Sequence, residues 1–273
     1  MKLEAGQVAV VTGAASGIGR ALADAFAERG LIVAMVDVER SALDSACAEI
    51  TATGGRAEAY LVDVRDPQQM DALAQSILAT HGRVDVLVNN AGVITPRQPL
   101  WEQSYDDLLW CTEVNLYGVA NGIRAFVPAM VQAGVGHVVN TSSLAGISTI
   151  PGGGNGIYSA TKHGVVALSE TLAVELADVA PEIGVTVLCP GPVPTNILTA
   201  ERNRPFERPT PAEPATAMPD FGLVFERVPA PEVAQMVIRA IEERELYLVT
   251  SGDVAAMGLE RVARVRASLE EQL

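Results

Sequence analysis

The sequence predicts an α/β fold, a doubly wound parallel sheet of about seven strands with helices on both faces. Two observations carry this. Short runs rich in Val, Ile and Ala alternate with longer stretches of helical period along nearly the whole chain, and such alternation builds a parallel sheet through right-handed helical crossovers. The runs are apolar without a break rather than at every second residue, the pattern of strands covered on both faces. A third observation allows it: 273 residues, 49% hydrophobic and 4% aromatic, supply a large aliphatic core within the reach of one α/β domain.

Taken in order, residues 7–12 form the first run and close on Thr12-Gly13. In 18–29 the apolar positions 18, 22, 25 and 26 keep a helical period. A second run, 31–36, ends on Asp37, and a helix over 41–53 follows, with Ser41 placed to cap it and Gly54-Gly55 to stop it. The third run, 57–62, ends at Asp63, and Pro67 opens a helix over 67–80, where its missing N–H costs nothing. A fourth run, 84–88, leads into Asn89-Asn90-Ala91-Gly92. A helix over 104–133, a strand at 136–140, a helix over 158–179 and a strand at 184–189 follow, and helix 232–243, strand 246–249 and helix 254–269 finish the chain. The result is a Rossmann-type sheet, whose ligands lie beyond the carboxyl ends of the strands.

Between 192 and 231 the composition changes: nine of the 16 prolines and three of the five Phe fall there. A loop of that length within a compact domain is uncommon and is either a lid or without order. Ile197, Leu198, Phe206, Met218, Phe221, Leu223 and Phe225 favour a lid, inserted in a single domain that spans residues 1–273. The formal net charge of −14 argues against nucleic acid or an anionic membrane as partner. Cys47, Cys111 and Cys189 are scattered and lack metal-ligand spacing, so free thiols in a reducing, cytoplasmic compartment are expected. His81, His137 and His163 lack ligand spacing too, and no metal is expected. No apolar run reaches the ~18–20 residues that span a bilayer.

The chemistry is expected at the strand ends. In Thr12-Gly-Ala-Ala-Ser-Gly17-Ile-Gly19 the glycines at 13, 17 and 19 let the backbone approach a pyrophosphate at a helix N-terminus; Ser16 and Ile18 complete the turn. Asp37 stands 24 residues after Gly13, where a carboxylate takes the ribose hydroxyls of NAD and repels the 2′-phosphate of NADP. Ser16 and Val38 fill the places where a base would favour NADP. Asp63 and Val64 are placed to bound the adenine, although Asp63 serves equally as an Asx turn. Ala91 and Gly92 leave room for the cofactor, whereas Asn89 either joins them or only satisfies neighbouring strand ends. Tyr158 and Lys162 lie four apart on a helix, hence on one face. A cation beside a phenol favours the phenolate, and such a pair can exchange a proton with an alcohol or ketone oxygen. Trp101, Tyr105 and Trp110 stand at near-helical spacing and are expected in packing rather than in the site.

These motifs together (TGAASGIG at 12–19, Asp63-Val64, NNAG at 89–92, Asn115, Ser142-Ser143, YSATK at 158–162 and PGPVPT at 190–195) resemble the short-chain dehydrogenase/reductase family of ordinary length, over residues 7 to about 195. The resemblance implies that Tyr158 is the general acid/base, and that Lys162 lowers its pKa and holds the nicotinamide ribose. It implies that Asn115 positions a water linking Lys162 to solvent, and that Ser143, selected over Ser142 by the alignment of Ser-Ser-Leu-Ala-Gly, binds the substrate oxygen. Pro190 and Gly191 would back the nicotinamide, with Val193 and Thr195 near its carboxamide. The same likeness implies a homotetramer built on the two long helices. The stretch from Ser143 to Tyr158 is about two residues longer than the family pattern, which makes it the place where the pocket differs. The function expected is NAD-dependent interconversion of a secondary alcohol and a ketone, on a bulky and largely apolar small molecule. A non-catalytic NAD(H)-binding sensor and an isomerase or dehydratase with retained cofactor are the alternatives.

Overall fold

The computed structural model describes residues 1–205 and 225–272. Seven strands, β1 (Val8–Thr12), β2 (Ile32–Asp37), β3 (Arg56–Leu61), β4 (Val86–Asn89), β5 (Gly136–Thr141), β6 (Ile183–Cys189) and β7 (Tyr247–Val249), form one sheet in the order β3-β2-β1-β4-β5-β6-β7. Every pairing is parallel. The helices are α1 (Gly17–Glu28), α2 (Arg40–Ala52), α3 (Pro67–His81), α4 (Tyr105–Thr112), α5 (Gly118–Ala133), α6 (Gly156–Val179), α7 (Ala230–Glu243) and α8 (Gly252–Glu270).

The unbroken apolar runs are explained by two cores. Ala9 and Val11 of β1 pack with α1, α2 and α7 on one face, while Val8 and Val10 pack with α3, α5 and α6 on the other. Alternate side chains of one strand therefore enter different cores. Between β1 and β4 the strand order reverses direction, which opens a crevice at their carboxyl ends.

Three local expectations are corrected. Helix α2 starts at Arg40 with Glu39 at its cap, so Ser41 is not the cap residue. The cause lies at Asp37, whose carboxylate accepts the N–H groups of Val38 (2.7 Å) and Glu39 (3.0 Å) and turns the chain early. The helix expected over 104–133 is two helices, α4 and α5, joined by a π-helical turn, Glu113–Tyr117, in which the N–H of Gly118 reaches the carbonyl of Glu113, five residues back. The Pro-rich stretch is not all irregular, since Asn196–Asn203 forms tight helical turns. Phe206, Met218, Phe221 and Leu223 of the expected lid lie outside the described residues.

Candidate active site

The crevice holds a cavity of about 360 Å³ lined from the glycine turn, the ends of β2, β3, β4, β5 and β6, the start of α6 and the 190–203 segment. Gly13 and Gly17 both have left-handed φ (66° and 58°). A Cβ on Gly13 would lie 2.9 Å from Ala91 Cα, and one on Gly17 would lie 2.9 Å from Thr195 Cγ2. These positions need glycine for backbone conformation and for close approach alike. Gly19 does not line the cavity; a Cβ there would stand 2.1 Å from the Gly13 carbonyl oxygen, so Gly19 seats the first turn of α1 on the loop. Ser16 and Ile18 line the cavity.

Thr12 ties the two central strand ends together. Its buried hydroxyl accepts the N–H groups of Asn90 (2.9 Å) and Ala91 (3.0 Å), and the Asn90 side-chain amide donates to the Thr12 carbonyl (3.0 Å). Neither Thr12 nor Asn90 was singled out from sequence, although both stand inside the motifs quoted. Asn89 points away from the cavity: its amide donates to Asn140 (2.9 Å), and its oxygen packs where a Cβ on Gly122 would be. The pleat sends adjacent residues to opposite faces, so Asn90, Ala91 and Gly92 line the cavity and Asn89 does not.

Asp37 lines the cavity with its carboxylate held by backbone. Besides the N–H groups of Val38 and Glu39, it accepts that of Ala15 (3.0 Å). Asp63 and Val64 also line the cavity, but both Asp63 oxygens are engaged by Arg65 (3.0 and 2.6 Å), so Asp63 is first an ion-pair and turn residue. Across the cleft, Glu39 accepts from Arg202 (2.5 Å) and Asn203 (2.9 Å). Hydrogen bonding from Arg202 holds the Glu39 carboxyl below its usual range, against burial. This bridge joins residues 163 and 164 positions apart, and no motif announces it. Pro190, Gly191, Val193 and Thr195 complete this side of the cavity.

Tyr158 and Lys162, in the first two turns of α6, are buried at 8% and 2% exposure. The Lys162 ammonium stands 5.7 Å from the centre of the Tyr158 ring and donates to the Thr141 carbonyl (2.8 Å). Thr161 donates to the Tyr158 carbonyl, and Ser142 donates to that of Lys162, both at 2.8 Å. Ser142 is thereby occupied with the helix backbone. Ser143 caps the turn Leu144–Gly146 through the Ala145 N–H (3.1 Å), and its hydroxyl faces Tyr158 closely enough to favour the phenolate. The expected fall in the Tyr158 pKa is not present. Burial pushes it up to about 12, with Ser143 pulling only partly the other way. Burial also lowers Lys162 to about 8, which weakens the cation meant to favour the phenolate.

Asn115 sits in the π-helical turn with its side chain buried. Its amide donates to the Val93 carbonyl (2.9 Å) and the Thr161 hydroxyl (3.2 Å), and its oxygen accepts the Val93 N–H (2.8 Å). The Asn115 side chain thereby braces the strand β4 exit against α6. Trp110, left out of the site from sequence, lines the cavity, while Trp101 and Tyr105 are exposed rather than packed. Ile197, Leu198 and Phe225 of the Pro-rich stretch line it as well. A glycine cradle at a helix N-terminus and a carboxylate fixed at the end of β2 fit a dinucleotide, with the tyrosine, serine and lysine at the other end of the same cavity.

The short chain dehydrogenase family matches residues 7–205. The chain is similar to a 1-deoxy-11-beta-hydroxypentalenate dehydrogenase of Streptomyces exfoliatus, 38% identical over 225 residues that make up 81% of this chain and 78% of that one. Among solved structures it is similar to a short chain dehydrogenase/reductase from Burkholderia phymatum in complex with NAD (TM-score 0.89, 34% identity, 98% of this chain and 96% of that chain). A metagenomic short-chain oxidoreductase in complex with NADP is also similar (TM-score 0.65, 38% identity, 70% and 84% covered). With the sheet, the glycine cradle and the Ser143–Tyr158–Lys162 cluster in one crevice, this chain belongs to the short-chain dehydrogenase/reductase family of NAD(P)-dependent oxidoreductases.

Proposed function

We propose that the protein interconverts a secondary alcohol and a ketone with NAD as its hydride carrier. The observation that carries the choice of NAD is Asp37: three backbone N–H groups fix its carboxylate at the end of β2, facing the cavity. A fixed anion there accepts ribose hydroxyls and opposes a 2′-phosphate. Bound NAD supplies the hydride acceptor or donor, and the remaining work falls to the chain. Ser143 hydrogen-bonds the substrate oxygen and fixes its place. The Tyr158 hydroxyl gives that oxygen a proton in reduction and takes it in oxidation. Lys162, held by the Thr141 carbonyl, keeps a positive charge next to Tyr158 and offers its remaining protons to the cofactor ribose.

Val93, Ile94, Leu144, Ile150, Ile197 and Phe225 give the cavity its apolar walls, which supports a bulky, largely apolar substrate. The Streptomyces relative is itself named for a hydroxy compound, 1-deoxy-11-beta-hydroxypentalenate. Exposed Tyr105, Leu108, Tyr117 and Val174 on α4, the π turn and α6 support a homotetramer built on these helices, which size-exclusion chromatography with light scattering would test. No helix of the described residues is long and apolar enough to cross a membrane, in keeping with the cytoplasmic location proposed.

The test is a panel of secondary alcohols and ketones with NAD(H) and with NADP(H), followed at the nicotinamide absorbance band. Turnover of bulky members, faster with NAD(H), is expected. Tight NAD binding without turnover of any member would replace this reading with that of a cofactor sensor.

A further inference from the structure

The stretch between Ser143 and Tyr158 contains a loop with an uncommon backbone. Gly152, Gly153 and Gly154 all adopt left-handed φ, at 71°, 63° and 86°. Three such residues in succession are open without strain only to glycine. A run of glycines also has the most conformational freedom to lose, so something must hold it in one shape. That something is Arg97. Its Nε–H donates to the Gly153 carbonyl (2.9 Å) and its Nη2 to the Pro151 carbonyl (3.3 Å). The N–H of the next residue, Gln98, donates to the Gly154 carbonyl (3.0 Å), and the Gly153 N–H closes the turn on Ile150 (3.1 Å).

The fit to Arg97 is close at two of the three glycines. A Cβ on Gly152 would stand 2.6 Å from Arg97 Nη2, and one on Gly154 would stand 2.3 Å from Arg97 Cγ. Further along, Leu100 fills the space beside Gly156, and Gln103 bonds both the Gly154 carbonyl (3.5 Å) and the Ile157 N–H (3.4 Å). Residues 97–103 thus clamp the chain up to the residue before Tyr158. Arg97, Ile150, Pro151 and Asn155 all line the cavity, so whatever sets this loop sets one wall of it.

We propose that Arg97 is a positioning residue for substrate selectivity: clasped by the glycine loop, it fixes the Ile150–Pro151 wall against which the part of the substrate remote from the reacting carbon is selected. The inference rests on the dehydrogenase reading for its kinetic arm only. In Arg97→Ala the loop loses the two bonds from the guanidinium and keeps those from Gln98 and Gln103, while Ser143, Tyr158 and Lys162 keep theirs. Arg97→Lys retains the stem but not the fork that reaches two carbonyls, and should lie between the two. Gly152→Ala attacks the same clasp from the other side.

Two measurements decide. The first is amide hydrogen exchange of the full-length protein, in which Gln98 and Gly153 should lose protection by about tenfold or more in Arg97→Ala and Gly152→Ala, equivalent to one discrete contact. The second is steady-state kinetics with borneol and with isopropanol. In Arg97→Ala the KM for borneol should rise about tenfold, with kcat and the Kd for NADH within about twofold, so that discrimination between the two alcohols falls. Retained NADH binding shows that the variants are folded. Unchanged exchange at both amides overturns the clasp, and altered exchange with unchanged discrimination overturns its role in selectivity. If the wild type turns over no alcohol or ketone, the dehydrogenase reading fails, and the clasp still stands or falls on the exchange data.

Discussion

Tyr158 and Lys162 share one face of α6, and burial moves both towards their neutral forms, Tyr158 to about 12 and Lys162 to about 8. A hydroxyl with so little tendency to ionise holds its proton until the chemistry needs it, and in oxidation its loss should be felt as a rate that climbs with pH. Tyr158→Phe removes the transferable proton and little else, so kcat should fall by about 10²–10⁴-fold with the NADH Kd nearly unchanged; retained turnover would remove Tyr158 from the proton path. Lys162 has a second consequence, for stability. Its folded value near 8 lies below the ordinary 10.5, so between those limits the unfolded chain binds more protons and stability rises with pH. Buried Cys111 and Cys189, pushed up to about 11 and about 12 from 9, act in the opposite direction above pH 9, because there the folded chain is the one that holds more protons. The rise due to Lys162 should therefore stand out between pH 8 and 9 in denaturant midpoints, and Lys162→Met should flatten it. An equally steep rise in the variant would assign the effect elsewhere.

At the scale of elements, the strands and most helices could be read from the sequence because burial on both faces leaves the apolar run as its signature. The failures are instructive. Ser41 has the chemistry of a cap, yet Asp37 had already turned the chain by capturing two N–H groups; local propensity yielded to a contact four residues upstream. In Asn89-Asn90 two identical residues differ only in which side of the pleat they occupy, and the one-residue choice could not be made without the register of β4. Helices α4 and α5 with their π turn have the same apolar period as one long helix. Asn115 lies in that turn, and its side chain satisfies both the N–H and the C=O of Val93. Asn115→Ala leaves those buried groups without their partner and should cost about 2 kcal/mol or more. It should also lower kcat, because the β4 exit that lines the cavity loses its brace. A thermal melt and a turnover assay on the same preparation check both, and an unshifted melt would show that Val93 finds another partner.

For the whole molecule, the crevice between β1 and β4 dictates where everything else must be, and the Tyr158, Ser143 and glycine-turn positions follow from the topology once the strands are known. What the sequence could not reveal is how the cleft is closed across its width: Glu39 meets Arg202 and Asn203 only in the folded chain, and Arg97 meets a loop more than 50 residues away. Cofactor choice also belongs at this scale, since a 2′-phosphate would meet the field of Asp37 together with its neighbour Glu39, whose charge is already shared with Arg202. Asp37→Ala should therefore lower the ratio of kcat/KM for NAD over NADP by about tenfold or more. A ratio unchanged from wild type would assign the discrimination to another residue.

The π turn makes the chain one residue longer than its helix axis requires. Deleting a single residue within Glu113–Tyr117 would allow regular hydrogen bonding from α4 into α5, the outcome that local rules favour. It would also redirect the side chains of the turn itself, taking Asn115 off Val93, while α4 and α5 kept their common axis. The irregular helix is in this sense slack held in reserve, and its surplus residue is what turns Asn115 to Val93 and Thr161 without moving the helices on either side.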